Sequence, residues 1–583
     1  MHQGIDSLVS NICTWMYLKD INITVLVAIR VMTKFDLLSI QVEVICVHFP
    51  SDYGKKIAKL GVFVYFERSH IIKVTYPLMD TEIELKFLVS DNEVPLIPAL
   101  ITQFAKRVNN KPAKNLENAY YDTPSRELRA LDIGLRTRCQ DDDCEQTIKL
   151  SGEVLGGLHQ RPEYNLPLKT RKPDIFAFDS SIWPMGMRLE SIAENLFPIF
   201  STNFIRRTWL IETESGSLIE VVLDKGEVSA SGKSETISEL EIELVEGDRV
   251  DLFLLAEQLV AQIGVRLGFY SKAARGYRLA DDKPLKSNKE IGFVPLSSEM
   301  NQEQAFIKTI NYAIALVQKH EQCYVNEPSL KTLKRIIDGV RLIKHAFWLF
   351  EEFVARETTD SLRKELKWLL EELDWVESAI YLKTYTSKRH AYYKRIHGAP
   401  ELSQVIDDLK SVQPTKTDLE DLFHCPRYNK LLLSLTRWLM EKSWRQQWDQ
   451  NAIKSAQSSV RSMAKKTFDL EWKKLKSMFP HKSSMSLEQY VHTRSSIEEM
   501  LLSGSCLGEL FDEELRLSFR APWMDILSGI YELETLHYLQ QLCDGQEAQP
   551  LSDILVWLQQ KSDFLISAMD QSRDASINCE PYW

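Results

Sequence analysis

Two carboxylates and a lysine at every second place, Glu82, Glu84 and Lys86 in TEIELKF, form the first cluster of the chain with obvious chemical capacity. On a strand these three share one face, while Ile83, Leu85 and Phe87 take the other. Carboxylates so placed repel one another unless a cation joins them, and a hard divalent ion such as Mg2+ or Mn2+ is their natural partner. Glu239, Glu241 and Glu243 in ISELEIEL repeat the pattern, as do Glu220 and Asp224 in IEVVLDKG. A solvated edge strand would give the same spacing at any one of these places. Basic residues recur in the same region: Arg136 and Arg138 in GLRTRCQ, Lys149, Arg206 or Arg207, Lys225, Lys272 and Arg275. Arginine offers a planar fork to phosphate oxygens and lysine a compact charge, so together they suit a polyphosphate cradle. There is no G-x-x-x-x-G-K-[ST] loop, so side chains rather than a helix terminus would have to hold the phosphates.

These residues need strands to position them, and residues 81–280 read as strands joined by turns, with apolar and charged residues alternating. Charge on one face of four strands points to a closed barrel with a charged interior. The chain has 583 residues, more than one core usually supports, so several domains are expected. Residues 1–78 keep no clear period and read as an irregular extension, with Met79 a possible start. Residues 79–281 form the strand domain and 282–296 a linker. Apolar spacing of three and four then predicts an all-α domain over 297–570, with helices near 301–320, 329–356, 360–385, 428–449, 456–478 and 522–545, and a tail at 571–583. The net charge of −11 argues against a nucleic-acid coat. No apolar run is long enough for a membrane span, no signal peptide is evident, and the nine cysteines lack a C-x-x-C pair, so a cytoplasmic protein with reduced thiols is expected.

E-x-E-x-K at 82–86, YYDTP at 120–124, GLRTR, QTIKL, FIRRTW, VVLDKGEV, ELEIEL and SKAARGYRL at 271–279 occur in one order over about 200 residues. In this the chain resembles the CYTH domains, or triphosphate tunnel metalloenzymes. The resemblance implies a tunnel of eight antiparallel strands, hence an α+β multidomain chain with a β tunnel followed by helices. It implies metal binding and catalysis by Glu82, Glu84, Asp224, Glu241 and Glu243, with Glu239 as a further metal ligand. Phosphate binding falls to Lys86, Arg136, Arg138, Lys149, Arg206, Lys225, Lys272 and Arg275, and the pattern F-x-R-x-x-W selects Arg206 over Arg207. Arg161 and Glu163 match a position that holds the tunnel together or contacts metal. Hydrolysis of inorganic triphosphate to pyrophosphate and phosphate is the implied reaction, without a Ser, Cys or His nucleophile. A class IV adenylate cyclase, or a thiamine or nucleoside triphosphatase, would use the same tunnel. Tyr120 and Tyr121 would then offer base stacking, against the alternative of barrel packing.

The helical half is similar to a CHAD domain, and GSCLGELFDEELRLSFRAPWMDIL is similar to the corresponding stretch of inorganic triphosphatases with the CYTH–CHAD arrangement. On the helix around 330–347, Leu333, Ile336, Ile337, Val340, Ile343 and Phe347 make an apolar face, with Lys331, Lys334, Arg335 and Arg341 opposite. Such a ridge would bind polyphosphate, making a polyphosphate-binding scaffold a third reading. Here S-L-K-T-L-K-R replaces the usual H-x-x-R start and Asp338 interrupts the ridge. Lys388, Arg389, His390, Lys394, Arg395, His492 and Arg494 are further basic candidates, against solvated surface. The Trp-rich RWLMEKSWRQQW reads as packing.

Overall fold

The computed structural model describes residues 82–583, apart from 141–142, 480–482 and 545–550, and the backbone of strands before them. Ser10–Leu18, Ile23–Lys34 and Leu37–His48 pair as an antiparallel sheet within a separate unit, Met1–Met79. Phe66–Glu67 and His70–Ile71 pair as a second, two-stranded sheet of that unit, and the rest of the expected 1–78 extension lies outside the described residues. Asp80–Trp583 forms one compact unit.

The expected tunnel is there. Strands β1 (Asp80–Val89), β2 (Arg107–Asp122), β3 (Gly134–Gln140), β4 (Asp143–Lys149), β5 (Glu153–Leu155), β6 (Leu158–Leu168), β7 (Phe197–Glu212), β8 (Leu218–Ala230), β9 (Lys233–Glu246) and β10 (Val265–Leu267) make one antiparallel sheet. Eight of them close in the order β1-β6-β4-β3-β2-β7-β8-β9 and back to β1, while β5 and β10 are appended. The wall is turned inside out relative to a packed barrel. Leu85, Phe87, Ile219, Val221, Leu223, Leu240 and Ile242 point outward, where helix α1 (Arg249–Val260) covers them, and are at most 1% exposed. The alternate residues, charged, are left for the interior.

A short helix, α2 (Lys272–Ala280), carries Lys272 and Arg275 to the barrel. Gly276 permits its approach, since a Cβ there would lie 2.1 Å from the Phe200 ring. The β3–β4 hairpin sets Cys139 directly opposite Cys144, and the two form a disulfide. That corrects the expectation of reduced thiols throughout: five residues apart in sequence, they are brought face to face by the strand register.

Beyond residue 282 the chain is helical, as expected. Helices α3 (Gln302–Asn326), α4 (Leu330–Leu349), α5 (Pro426–Glu441), α6 (Val460–Met478), α7 (Leu487–Leu507), α8 (Glu513–Cys543) and α9 (Gln549–Ile577) are its longer members. The expected helix at 360–385 is two, Asp360–Glu372 and Trp375–Thr386. Helix α8 begins nine residues before the expected start and contains Pro522. Helix α9 crosses the expected boundary at 570, and Tyr582 and Trp583 pack on Phe468 and Phe519. The linker is not free either, for Val294 is fully buried and its N–H donates to the Ser505 carbonyl at 2.8 Å. Among the described residues no helix is long and apolar enough to cross a membrane.

Candidate active site

The tunnel encloses a cavity of about 370 Å³ lined by charged side chains from most of its strands. Strand register explains which ones meet. Glu84 stands opposite Glu243 on β9, Glu243 opposite Glu220 on β8, and Lys86 opposite Glu241. On the other side of β1, Glu82 faces Arg161 and Glu84 faces His159. Directly opposed like charges are destabilising, so the Glu84–Glu243 pair is a place where the fold sets carboxylates against one another.

Two walls differ in how their acids are neutralised. On one, Asp224 and Glu239 are fully buried, and Asp224 accepts a two-pronged bond from Arg206, 2.7 Å at each contact. Arg206 also reaches Glu241 at 3.0 Å. Lys272 lies 2.9 Å from Asp224, 2.7 Å from Glu239 and 2.8 Å from Glu241, and Lys86 lies 2.8 Å from Glu241. Burial works against ionisation of Glu239 and Glu241, but Lys272 and Lys86 overcome it: Glu239 is brought down to about 2 and Glu241 well below the usual range. This wall is saturated with cations.

On the other wall the acids are short of partners. Burial first, and then the Glu241 charge, push Glu84 up to about 7, while Lys86 is 3.9 Å from its carboxylate. Burial followed by Glu82 and Glu84 push Glu243 up to about 8. Lys149 contacts Glu82, yet it also serves Glu163 at 2.7 Å. Glu82, Glu84 and Glu243 are thus an oxygen-rich donor set whose neighbouring cations, Lys149 and Lys86, are shared with Glu163 and Glu241, which fits a hard divalent cation. Among the described residues no group of three or more potential ligands is already drawn together to metal-binding spacing.

The remaining lining is basic. Arg138 donates to Asn118 at 2.8 Å, and burial with the nearby Arg136 and Arg206 brings it down to about 10. Arg136 reaches Glu163 at 3.3 Å. The buried Nε atoms of Arg136 and Arg161 have no protein acceptor. Buried donors are normally satisfied, so these stand ready for an anion. Glu163 bridges Lys149 and Arg136, tying β6 to β4 and β3.

The structure therefore brings Glu82, Glu84, Lys86, Arg136, Arg138, Lys149, Arg206, Glu241, Glu243 and Lys272 to one cavity. Asp224, Glu239 and Arg275 stand behind that lining; Arg275 is tied to Glu239 at 2.6 Å and Glu235 at 2.7 Å. Lys225 is a correction: next to the inward Asp224, it must take the outer face, where it pairs with Asp91. Tyr120 lines the cavity stacked on Phe200, whereas Tyr121 packs outward. His159 was not anticipated. Burial first, then Lys86, lowers it to about 3, leaving a neutral ring bonded to the Gly268 carbonyl at 3.2 Å. Its parity with Arg161 was the available signal.

The helical ridge does not present its cations to solvent as a row. Lys334 sits over the Tyr531 ring at 4.1 Å, Arg335 pairs with Asp338 at 2.9 Å and Arg341 with Glu498 at 3.6 Å. Arg494 is enclosed by Glu377, Glu498 and Glu534 at 2.6 to 3.1 Å.

An eight-stranded antiparallel tunnel lined by interleaved carboxylates and basic side chains is the class of fold and site that these residues define. Family comparison agrees: a CYTH domain matches residues 80–277 and a CHAD domain residues 308–558. The chain is 36% identical over 248 residues to an inorganic triphosphatase of Haemophilus influenzae, spanning 42% of this chain and 67% of that protein. The chain belongs to the CYTH–CHAD branch of the triphosphate tunnel metalloenzyme family. Among solved structures, the CHAD domain from the plant Ricinus communis is 16% identical, covering 51% of this chain and 98% of its own (TM-score 0.38). A putative adenylyl cyclase from Hippeastrum, HpAC1, described as having a dominant triphosphatase activity, is 20% identical, covering 35% and 97% (TM-score 0.24).

Proposed function

We propose that this protein hydrolyses inorganic triphosphate to pyrophosphate and phosphate inside the tunnel, with Mg2+ or Mn2+ held by Glu82, Glu84 and Glu243. The observation that carries the reading is the division of one cavity between carboxylates short of cations and guanidinium donors short of acceptors. A metal-bound triphosphate chain supplies both deficits at once. The relative's activity on inorganic triphosphate supports the same substrate.

Arg136, Arg138 and Arg161 would grip phosphate oxygens from one side, and Lys86, Arg206 and Lys272 from the other. Asp224 and Glu239 hold Arg206 and Lys272 in place, so they contribute by positioning those cations. In the reaction a water oxygen bonds to the terminal phosphorus as the P–O bond to pyrophosphate breaks, without a covalent protein intermediate. The divalent ion would supply charge neutralisation and a more acidic bound water. The fixed basic side chains stabilise the charge that gathers on the leaving group.

The test is phosphate release from triphosphate, ATP, thiamine triphosphate and long polyphosphate, each with Mg2+, Mn2+ or EDTA. Metal-dependent preference for triphosphate is the expected result. Preference for ATP or the thiamine ester would replace the substrate assignment while keeping the tunnel chemistry, and no hydrolysis of any of them would overturn it. The engagement of Arg335 by Asp338 and of Arg341 by Glu498 favours this enzyme reading over a polyphosphate scaffold.

A further inference from the structure

Between the tunnel and the helices runs a four-residue strap, Val265–Gly268. Its inner edge is bonded to the strand that carries the candidate metal ligands: Val265 pairs with Val89, Arg266 with Leu88 and Leu267 with Phe87. Gly268 N–H donates to the Lys86 carbonyl at 2.8 Å, and a Cβ at Gly268 would lie 2.7 Å from Lys86 Cγ. The stem of Lys86 therefore rests directly on the strap. From the tunnel side His159 fixes the Gly268 carbonyl.

The outer edge is held entirely differently. Leu267 N–H donates to Asn429 Oδ1 at 3.2 Å, and the Asn429 amide donates in turn to the carbonyls of Phe423 and Cys425. Arg266 donates to Glu321 and to Gln322, each at 3.1 Å, and Tyr428 donates to the other oxygen of Glu321 at 2.6 Å. Arg266, Glu321, Tyr428 and Asn429 are at most 5% exposed. A buried charged network of this kind is weak evidence for stability, because an apolar substitute often holds a fold as well. It does fix geometry, since both terminal nitrogens of Arg266, the Tyr428 hydroxyl and the Asn429 amide each have a defined acceptor, while the Arg266 Nε has none.

We infer that the helical domain acts as a positioning element for the tunnel: helices α3 and α5 grip the strap through Arg266 and Asn429, and the strap sets where Lys86 stands. Arg266 and Asn429 are positioning residues, since they touch neither the cavity nor any group that would contact substrate. The domain behind the tunnel then has a role in triphosphate binding that needs no polyphosphate site of its own. The kinetic part of the inference rests on the triphosphatase reading; the structural part does not.

The full chain carrying Arg266→Met and Glu321→Gln together removes both charges, so no unpaired buried ion remains. Melting temperature, hydrogen–deuterium exchange of segments 84–89 and 265–270, and KM and kcat for triphosphate with Mg2+ are compared with the parent. Melting close to the parent is expected, with faster exchange confined to those two segments and KM raised about tenfold, equivalent to about 1.4 kcal/mol, while kcat changes little. Arg266→Lys keeps the charge pair and should recover most of the KM, which a mere loss of packing would not allow; it also serves if the double variant fails to fold. Unchanged exchange, or faster exchange with unchanged KM, overturns the inference. A parent inactive on triphosphate with faster exchange in the variant would instead sink the triphosphatase reading and leave the grip on the strap standing.

Discussion

Glu84 and Glu243 carry the clearest electrostatic signature in the tunnel, because each faces the other across β1 and β9 with little cation nearby. Glu84→Gln keeps the shape and removes one charge of the pair. Activity on triphosphate should fall by about 10²-fold or more, while the metal-free melting temperature stays level or rises as repulsion is relieved. An active variant would remove Glu84 from the metal set. The same pair predicts a pH effect. Their folded values, about 7 and about 8, lie above the ordinary 4.5. A carboxyl raised on folding binds its proton more tightly when folded, so its stabilising contribution is complete below the unfolded value and is lost as pH rises through the folded one. In EDTA, melting temperature should therefore fall as the pH rises from 5 to about 8, and Glu243→Gln should flatten that fall. A profile unaltered by the substitution would show that this carboxyl is already ionised.

At the level of elements, the alternating charges of TEIELKF and ISELEIEL were enough to assign one face of each strand, because period two admits no other arrangement. Lys225 was legible by the same rule, since its neighbour Asp224 points inward. The pairing of Cys139 with Cys144 was not, because it depends on the hairpin's register rather than on any motif spacing. Nor was the split of the carboxylates into saturated and unsaturated walls, which depends on α2 delivering Lys272 to Asp224, Glu239 and Glu241. Helix α2 can be tested directly. In Gly276→Ala the added Cβ meets the Phe200 ring, which is itself stacked on Tyr120. The cost should be about 1–3 kcal/mol, read as a lower melting temperature together with a raised KM for triphosphate. Phe200→Leu in the same chain should recover part of both, and a Gly276→Ala protein that behaves like the parent would show that the helix has room to move.

Across the whole molecule, the outward face of the tunnel and the helical half share one apolar cluster. Leu85, Phe87 and Leu240 of the wall, Leu252 and Phe253 of α1, and Phe306 and Ile310 of α3 all belong to it and are at most 1% exposed. A core shared in this way should unfold cooperatively. Calorimetry of the protein in EDTA should give one transition for the Asp80–Trp583 unit, whereas two separated transitions would show that tunnel and helices are independent bodies.

The sequence by itself determined the strand-to-helix division and the charged face of each tunnel strand, because side-chain periodicity and charge are local properties. Only the tertiary structure decided which carboxylates are neutralised, which arginines lack acceptors, and that in the helical ridge Arg335 and Arg341 are ion-paired while Lys334 lies over a tyrosine ring. Several of those outcomes depend on groups more than a hundred residues apart, as with Lys86 and Glu239 or Asn429 and the strap. Electrostatics and packing are set by distance in space, and spacing along the chain carries no record of it.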